Sequence, residues 1–149
     1  MRTHVTPFAE FLAYCLMPSH FHFLLYVKEI EIGTKSLNSS IGTMLMSYTS
    51  AINKQENRTG SLFRKKTQAK DGWIEDVVTL KGLHGKIMFS PFNQYGSVCF
   101  DYIHDNPVIA KLVKRPEDWK YSSASDYYGL RKGTLCNQNL AKELLGVGP

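Results

Sequence analysis

Two apolar runs, Phe11–Met17 and His20–Val27, are separated only by Pro18 and Ser19. Runs this short and this rich in aromatic and large apolar residues read as strands. So tight a connection through proline forces the second strand back along the first as an antiparallel hairpin, with both strands expected to be buried. Within the second strand, His20-Phe21-His22 sends both imidazoles to one face and Phe21 to the other, because side chains alternate along a strand.

The rest of the chain has to cover that hairpin. Leu37, Ile41, Met44, Leu45, Tyr48 and Ile52 recur at threes and fours behind Thr34 and Ser36, two candidate N-caps. This spacing predicts an amphipathic helix ending near Asn53, with Tyr48 on its packing face. Thr59-Gly60 marks a turn into a strand-like segment, Ser61–Ala69. The stretch Gly72–Gly96 shows only weak helical periodicity over Ile74–Leu83. Ser97–Asp105 reads as a helix, with a second helix starting at Asn106-Pro107, since the residue before proline is pushed out of the helical region. Strands and helices mix without a βαβ rhythm, which predicts an α+β fold with a mostly antiparallel sheet. With 149 residues, 43% of them hydrophobic, a single domain over 1–149 is expected. The end beyond about 130 reads as looser, fraying from Lys142. Cys15, Cys99 and Cys136 are odd in number and lack C-x-x-C spacing, so neither a disulfide framework nor a zinc ribbon is expected. No run approaches the roughly 20 apolar residues of a membrane span, and Met1–Glu10 has no signal-peptide apolar region, which points to the cytoplasm.

Three groups of residues carry chemistry. The imidazoles of His20 and His22, embedded in apolar sequence, need partners, because an unsatisfied buried nitrogen costs about 1–3 kcal/mol. They can share a metal or rest as a polar pair on a half-exposed strand. Tyr102 and Asn106, four apart, converge if one helix carries both. Otherwise Asn106 is an N-cap ahead of Pro107, and Tyr102 a core tyrosine. Lys54, Arg58, Arg64, Lys65, Lys66 and Lys70 oppose a single acid, Glu56, so this run carries +5, equal to the formal charge of the whole chain. Such a run is either a solvated face or a clamp on a polyanion, and Phe63 and Arg58-Thr59-Gly60 within it suit base stacking and phosphate contacts.

Ala13-Tyr14-Cys15-Leu16-Met17-Pro18-Ser19-His20-Phe21-His22-Phe23-Leu24-Leu25 closely resembles the histidine–hydrophobe–histidine (HUH) motif of single-tyrosine transposases, in particular their REP-associated branch. Further landmarks follow in order. Ser47-Tyr48-Thr49 through Asn53 and then Arg58–Phe63 resemble the family's helix and following strand. Asp101-Tyr102-Ile103-His104-Asp105-Asn106-Pro107-Val108 resembles its catalytic tyrosine helix, and Trp119-Lys120-Tyr121-Ser122-Ser123 its closing segment. The resemblance implies a ferredoxin-like antiparallel sheet backed by helices on one face. It also implies a metal-dependent single-stranded DNA endonuclease and strand transferase acting on DNA hairpins through a 5′-phosphotyrosine. In that reading Tyr102 is the nucleophile, and His20, His22 and Asn106 hold Mg²⁺ or Mn²⁺. The basic run is the backbone clamp on single-stranded or hairpin DNA, and the protein acts as a monomer or homodimer.

Three departures stand out. Members of the family begin with a strand and a helix before the hairpin, which Met1–Glu10 is too short to supply, leaving the edge beside the histidine strand without its usual partner. Ser19 replaces the usual asparagine, and Gly72–Gly96 is longer than the expected linker. A DNA-hairpin-binding remnant without catalysis is therefore the alternative within the family. Outside it stands a zinc hydrolase using His20, His22 and either His84 or His104.

Overall fold

The computed structural model describes residues 1–28, 36–63 and 94–147. The hairpin forms as expected, with β1 (Ala9–Leu16) antiparallel to β2 (Phe21–Val27), and the turn between them closes by donation from Met17 N–H to His20 O at 2.8 Å. A register shift between Phe11 and Ala13 leaves Leu12 as a bulge. The bulge changes the facing of the strand. Phe11 pairs with Leu25 and meets Phe23 edge-on at 5.2 Å, whereas Ala13 and Cys15 pair with Leu24 and His22. The histidine face of β1 is thus floored by two small, fully buried side chains, which lets a helix approach closely.

That helix is α2 (Gln94–Ile109), which packs across both strands. With antiparallel strands and helices set against them, the fold is α+β. Of the larger sheet implied by the resemblance, the described residues contain this one strand pair. The second edge of β1 is occupied by the C-terminal segment: Leu16 N–H donates to Tyr121 O, Ser123 N–H to Tyr14 O and Asn137 N–H to Phe11 O. Trp119 Nε1–H and Tyr127 O–H also donate to Leu16 O and Leu12 O. Consequently β1 is the buried centre, while β2 is only half-buried, contrary to the expectation that both strands lie inside. Tyr26 and Val27 are exposed at its end, and among the described residues no strand pairs with its outer edge.

Helix α1 (Leu37–Gln55) starts at Ser36, whose hydroxyl accepts from Ser39 N–H in a reciprocal capping box. Of the anticipated stripe, Leu37, Ile41 and Met44 pack against the core, no residue of the helix is fully buried, and Tyr48 is not on the packing face as expected. Tyr48 lies on the rim, 55% exposed, with its ring against Phe63. Ser61–Phe63 is bent rather than a strand, and the remainder of the strand-like segment, like most of Gly72–Gly96, lies outside the described residues.

Two expectations in the C-terminal half are corrected. A single helix runs through Asn106-Pro107 instead of breaking there. Pro107 sits in the last turn, where its missing N–H removes one intrahelical bond and a break would gain little. The helix ends beyond it, with Lys111 left-handed (φ 56°), Leu112 N–H donating to Pro107 O and Lys111 N–H to Val108 O. From Gln138 to Leu145 the end expected to fray forms α4. Asn137 caps it by accepting from Leu140 N–H, Ala141 is buried, and Leu140, Leu144 and Leu145 pack on the core. A 3₁₀ turn at Pro116–Asp118 and the single turn α3 (Ala124–Tyr127) link α2 to α4. No helix among the described residues is long and apolar enough to cross a membrane.

Candidate active site

His20 and His22 reach the same face, as alternation requires, with their rings edge-to-face and centroids 4.9 Å apart. His20 ends the tight turn, exposed, with Nδ1 sharing a 3.1 Å hydrogen bond with Ser19 Oγ. His22 is inside the strand opposite Cys15. Its Nε2 is buried and has no hydrogen-bond partner among the described residues. Burial, followed by the neighbouring His20, holds its pKa below the usual imidazole value, so His22 is neutral with a ring nitrogen ready to act as a ligand.

Tyr102 comes to this pair from α2, its ring edge-to-face with His22 at 5.7 Å. One turn further along the same flank, Asn106 is buried, with Nδ2–H donating to Tyr102 O at 2.6 Å. The N-cap alternative for Asn106 is thereby excluded, since the residue lies within a helix. Because that carbonyl can only accept, the amide nitrogen must face it, which leaves Oδ1 as the free acceptor.

His20 and His22, with rings 4.9 Å apart, are the residues that could hold a divalent ion. The unpartnered His22 Nε2 is the observation that tests the fit: a buried nitrogen aimed at nothing is what a ligand looks like without its metal. Imidazoles alone suit zinc, copper, iron or nickel, whereas an amide oxygen is a hard donor of the kind Mg²⁺ and Mn²⁺ accept. Among the described residues no three His, Cys, Asp or Glu side chains cluster as a metal site; Asn106 as a third ligand is what the resemblance implies.

The three-histidine alternative loses one of its candidates. His104 is buried on the opposite flank of α2, where Nε2 shares a 2.7 Å hydrogen bond with Ser123 Oγ, and its ring packs edge-on against Phe100. Burial pushes its pKa down to about 4, against a smaller upward pull from Asp126. His84 lies outside the described residues. Of the basic run, Lys54 in the last turn of α1 and Arg58 in the following turn are exposed, while Arg64, Lys65, Lys66 and Lys70 lie outside the described residues. Phe63 connects this turn to the hairpin, its ring 5.7 Å from that of Phe21.

Sequence reasoning did not anticipate the role of Ser123. Its hydroxyl accepts from Tyr14 N–H and meets His104, tying the closing segment to β1 and α2. The nearest signal was the Ser122-Ser123 pair itself, and serine pairs are too common to read. The chain matches no family model, no curated protein and no solved structure.

Proposed function

We propose that this chain is a metal-dependent DNA-nicking and -joining enzyme of the single-tyrosine HUH type, acting on single-stranded DNA flanking a hairpin. The observation that carries the reading is the buried, unpartnered His22 Nε2 beside both His20 and the Tyr102 ring. His20, His22 and Asn106 would hold Mg²⁺ or Mn²⁺. When bound, such an ion withdraws charge from a phosphodiester oxygen and so eases attack at phosphorus.

The chain's own residues account for the rest. Tyr102 supplies the nucleophile: its phenolic oxygen gives its proton to solvent and forms a bond to phosphorus as the bond from phosphorus to the 3′-oxygen breaks, that oxygen being protonated from solvent in turn. The leaving strand thus ends in a 3′-hydroxyl, and the other strand stays joined to Tyr102 through its 5′-phosphate. Attack by a 3′-hydroxyl reverses the step, so cutting and joining need no external energy source. The neutral His22, kept so by burial, is available as a ligand at any pH above its lowered pKa. The Asn106 amide is oriented by its bond to the main-chain carbonyl of Tyr102, one turn away on the same helix. Lys54 and Arg58, with the remainder of the basic run, suit the DNA backbone.

The test is incubation of the full chain with labelled single-stranded hairpin DNA and Mn²⁺. A covalent protein–DNA band that survives denaturation, disappears with EDTA and is absent from Tyr102→Phe is the expected result. Hairpin binding with no such band would identify the non-catalytic remnant instead.

A further inference from the structure

Ser123 and His104 form a pair that in an open cleft would resemble a nucleophile and its base, with Oγ and Nε2 2.7 Å apart. Neither can reach a substrate: Ser123 is 0% exposed and His104 6%. What the pair does follows from the groups it joins. Ser123 N–H donates to Tyr14 O at 3.0 Å, and Tyr14 N–H donates back to Ser123 Oγ at 2.9 Å. The serine hydroxyl also meets the Cys136 thiol, a weak hydrogen-bonding group, and Tyr14 O at 3.2 Å, a carbonyl already served by the Ser123 amide; His104 Nε2, at 2.7 Å, is the strongest acceptor it has. Serine is thereby pinned to β1 through two backbone groups and holds α2 through one imidazole. Tyr14 directly precedes Cys15, the register partner of His22.

The helix needs such a fixture. Toward β1 it faces the small side chains Ala13 and Cys15, while Phe100 and Ile103 anchor it in the core, Phe100 edge-on to Tyr127 at 4.7 Å, and near its start Ser97 O–H donates to Leu145 O at 2.9 Å. Dispersion contacts are individually weak and non-directional, and the His104–Ser123 bond adds a directional tie in the half of the helix that carries Tyr102 and Asn106. A buried hydrogen bond is directional, and moving either partner leaves an unsatisfied polar group. His104 lies two residues after Tyr102 and two before Asn106, so it faces the flank of α2 opposite to both. Holding that flank fixes the rotation and height of the other.

We infer that the His104–Ser123 bond is a latch setting the rotation and axial position of α2, so that Tyr102 and Asn106 stay aimed at the His20/His22 pair. The inference rests on the function proposed above and makes His104 and Ser123 positioning residues rather than catalytic ones. A misplacement of about 1 Å in a reacting group lowers rates on the order of 100-fold, which sets the scale of the effect.

The experiment compares the full chain with His104→Leu, His104→Gln, Ser123→Ala and the double variant His104→Leu/Ser123→Ala. Two readouts are taken: the single-turnover rate of covalent adduct formation on a saturating hairpin with Mn²⁺, and hairpin affinity by mobility shift without metal. The expected result is a rate loss of about 30–100-fold in His104→Leu with affinity changed less than about twofold. Glutamine, whose amide can still meet Ser123, recovers most of the rate. Ser123→Ala shows a comparable loss, and the double variant is no slower than the worse single one, because all remove the same link. If the leucine variant does not fold, the glutamine and alanine variants carry the same comparison. A folded His104→Leu or Ser123→Ala at the unaltered rate overturns the latch. So do rate and affinity falling together with no recovery by glutamine, which is the signature of general destabilisation. No adduct from the unaltered chain overturns the proposed function and the latch with it, and so is distinguishable from failure of the latch alone.

Discussion

Replacing His22 by phenylalanine separates a structural from a metal-binding histidine. In the metal-free protein His22 Nε2 is buried without a partner, an arrangement that costs about 1–3 kcal/mol. Phenylalanine keeps a planar ring against Tyr102 and removes the orphaned nitrogen. The variant should therefore be more stable than the unaltered chain in EDTA. At about 2–4 °C per kcal/mol for a chain of this length, the melting temperature should rise by about 2–12 °C. With Mn²⁺ the order should reverse: an ion at about 1,000 times its dissociation constant stabilises the unaltered chain by about 4.1 kcal/mol and the variant hardly at all. Thermal melts by circular dichroism, with EDTA and across a Mn²⁺ series, measure both effects. A His22→Phe chain that melts below the unaltered one in EDTA, or that keeps its response to Mn²⁺, refutes the reasoning, because the nitrogen would then have another partner or no ligand role.

Three further outcomes follow from individual groups. The His104 pKa is lowered by burial to about 4, so the unfolded chain binds this proton near 6.5 and the folded chain only near 4. Stability should be full above about pH 6.5 and fall by about 3 kcal/mol as the pH drops through that window, levelling off below it. Urea unfolding of the unaltered chain and His104→Gln at pH 7 and pH 4.5 isolates this share from that of His22, lowered in the same direction, and of Asp101 and Asp105, whose raised pKa values act oppositely. A pH dependence unchanged by the substitution would contradict it. Asp126, almost wholly buried, accepts from Arg131 Nε at 2.6 Å and from Gly133 N–H at 3.0 Å. Asp126→Asn should destabilise by about 2–4 kcal/mol, somewhat less than for a fully buried pair because the Arg131 side chain is 35% exposed. Denaturant midpoints measure this, and a change under 1 kcal/mol would disprove it. If all six basic residues of Lys54–Lys70 meet phosphates, single-strand affinity should fall with salt at a log–log slope of roughly −4, whereas a flat response would dismiss the clamp.

What was legible in the sequence was legible because local rules and tertiary packing agreed. The hairpin could be read since Pro18-Ser19 leaves two apolar runs no alternative, and strict alternation then placed both histidines on one face. Four-residue spacing likewise put Tyr102 and Asn106 on one flank, provided one helix carried both. The proline rule argued against that helix and was overridden, because a proline in the last turn disturbs little. The half-exposure of β2 depends on which segment takes the other edge of β1, and the covering residues, Tyr121, Ser123 and Asn137, are more than a hundred positions away. Likewise α4 is too short for its periodicity to emerge from a polar context, although its buried Ala141 and its leucines follow the rule once the core is known. Ser123 stood out only as the end of the segment Trp119–Ser123 in the resemblance, and its contacts arise where three elements meet.

The most direct measurement is to locate the attachment. The chain has eight tyrosines, and Tyr26, Tyr48, Tyr121 and Tyr128 are more exposed than Tyr102. Digestion of the Mn²⁺-dependent protein–DNA adduct, followed by mass spectrometry of the nucleotide-bearing peptide, should place a 5′-linked phosphate on Tyr102 alone. A nucleotide on any other residue, or an adduct that persists after His22→Phe, would contradict the assignment of this site.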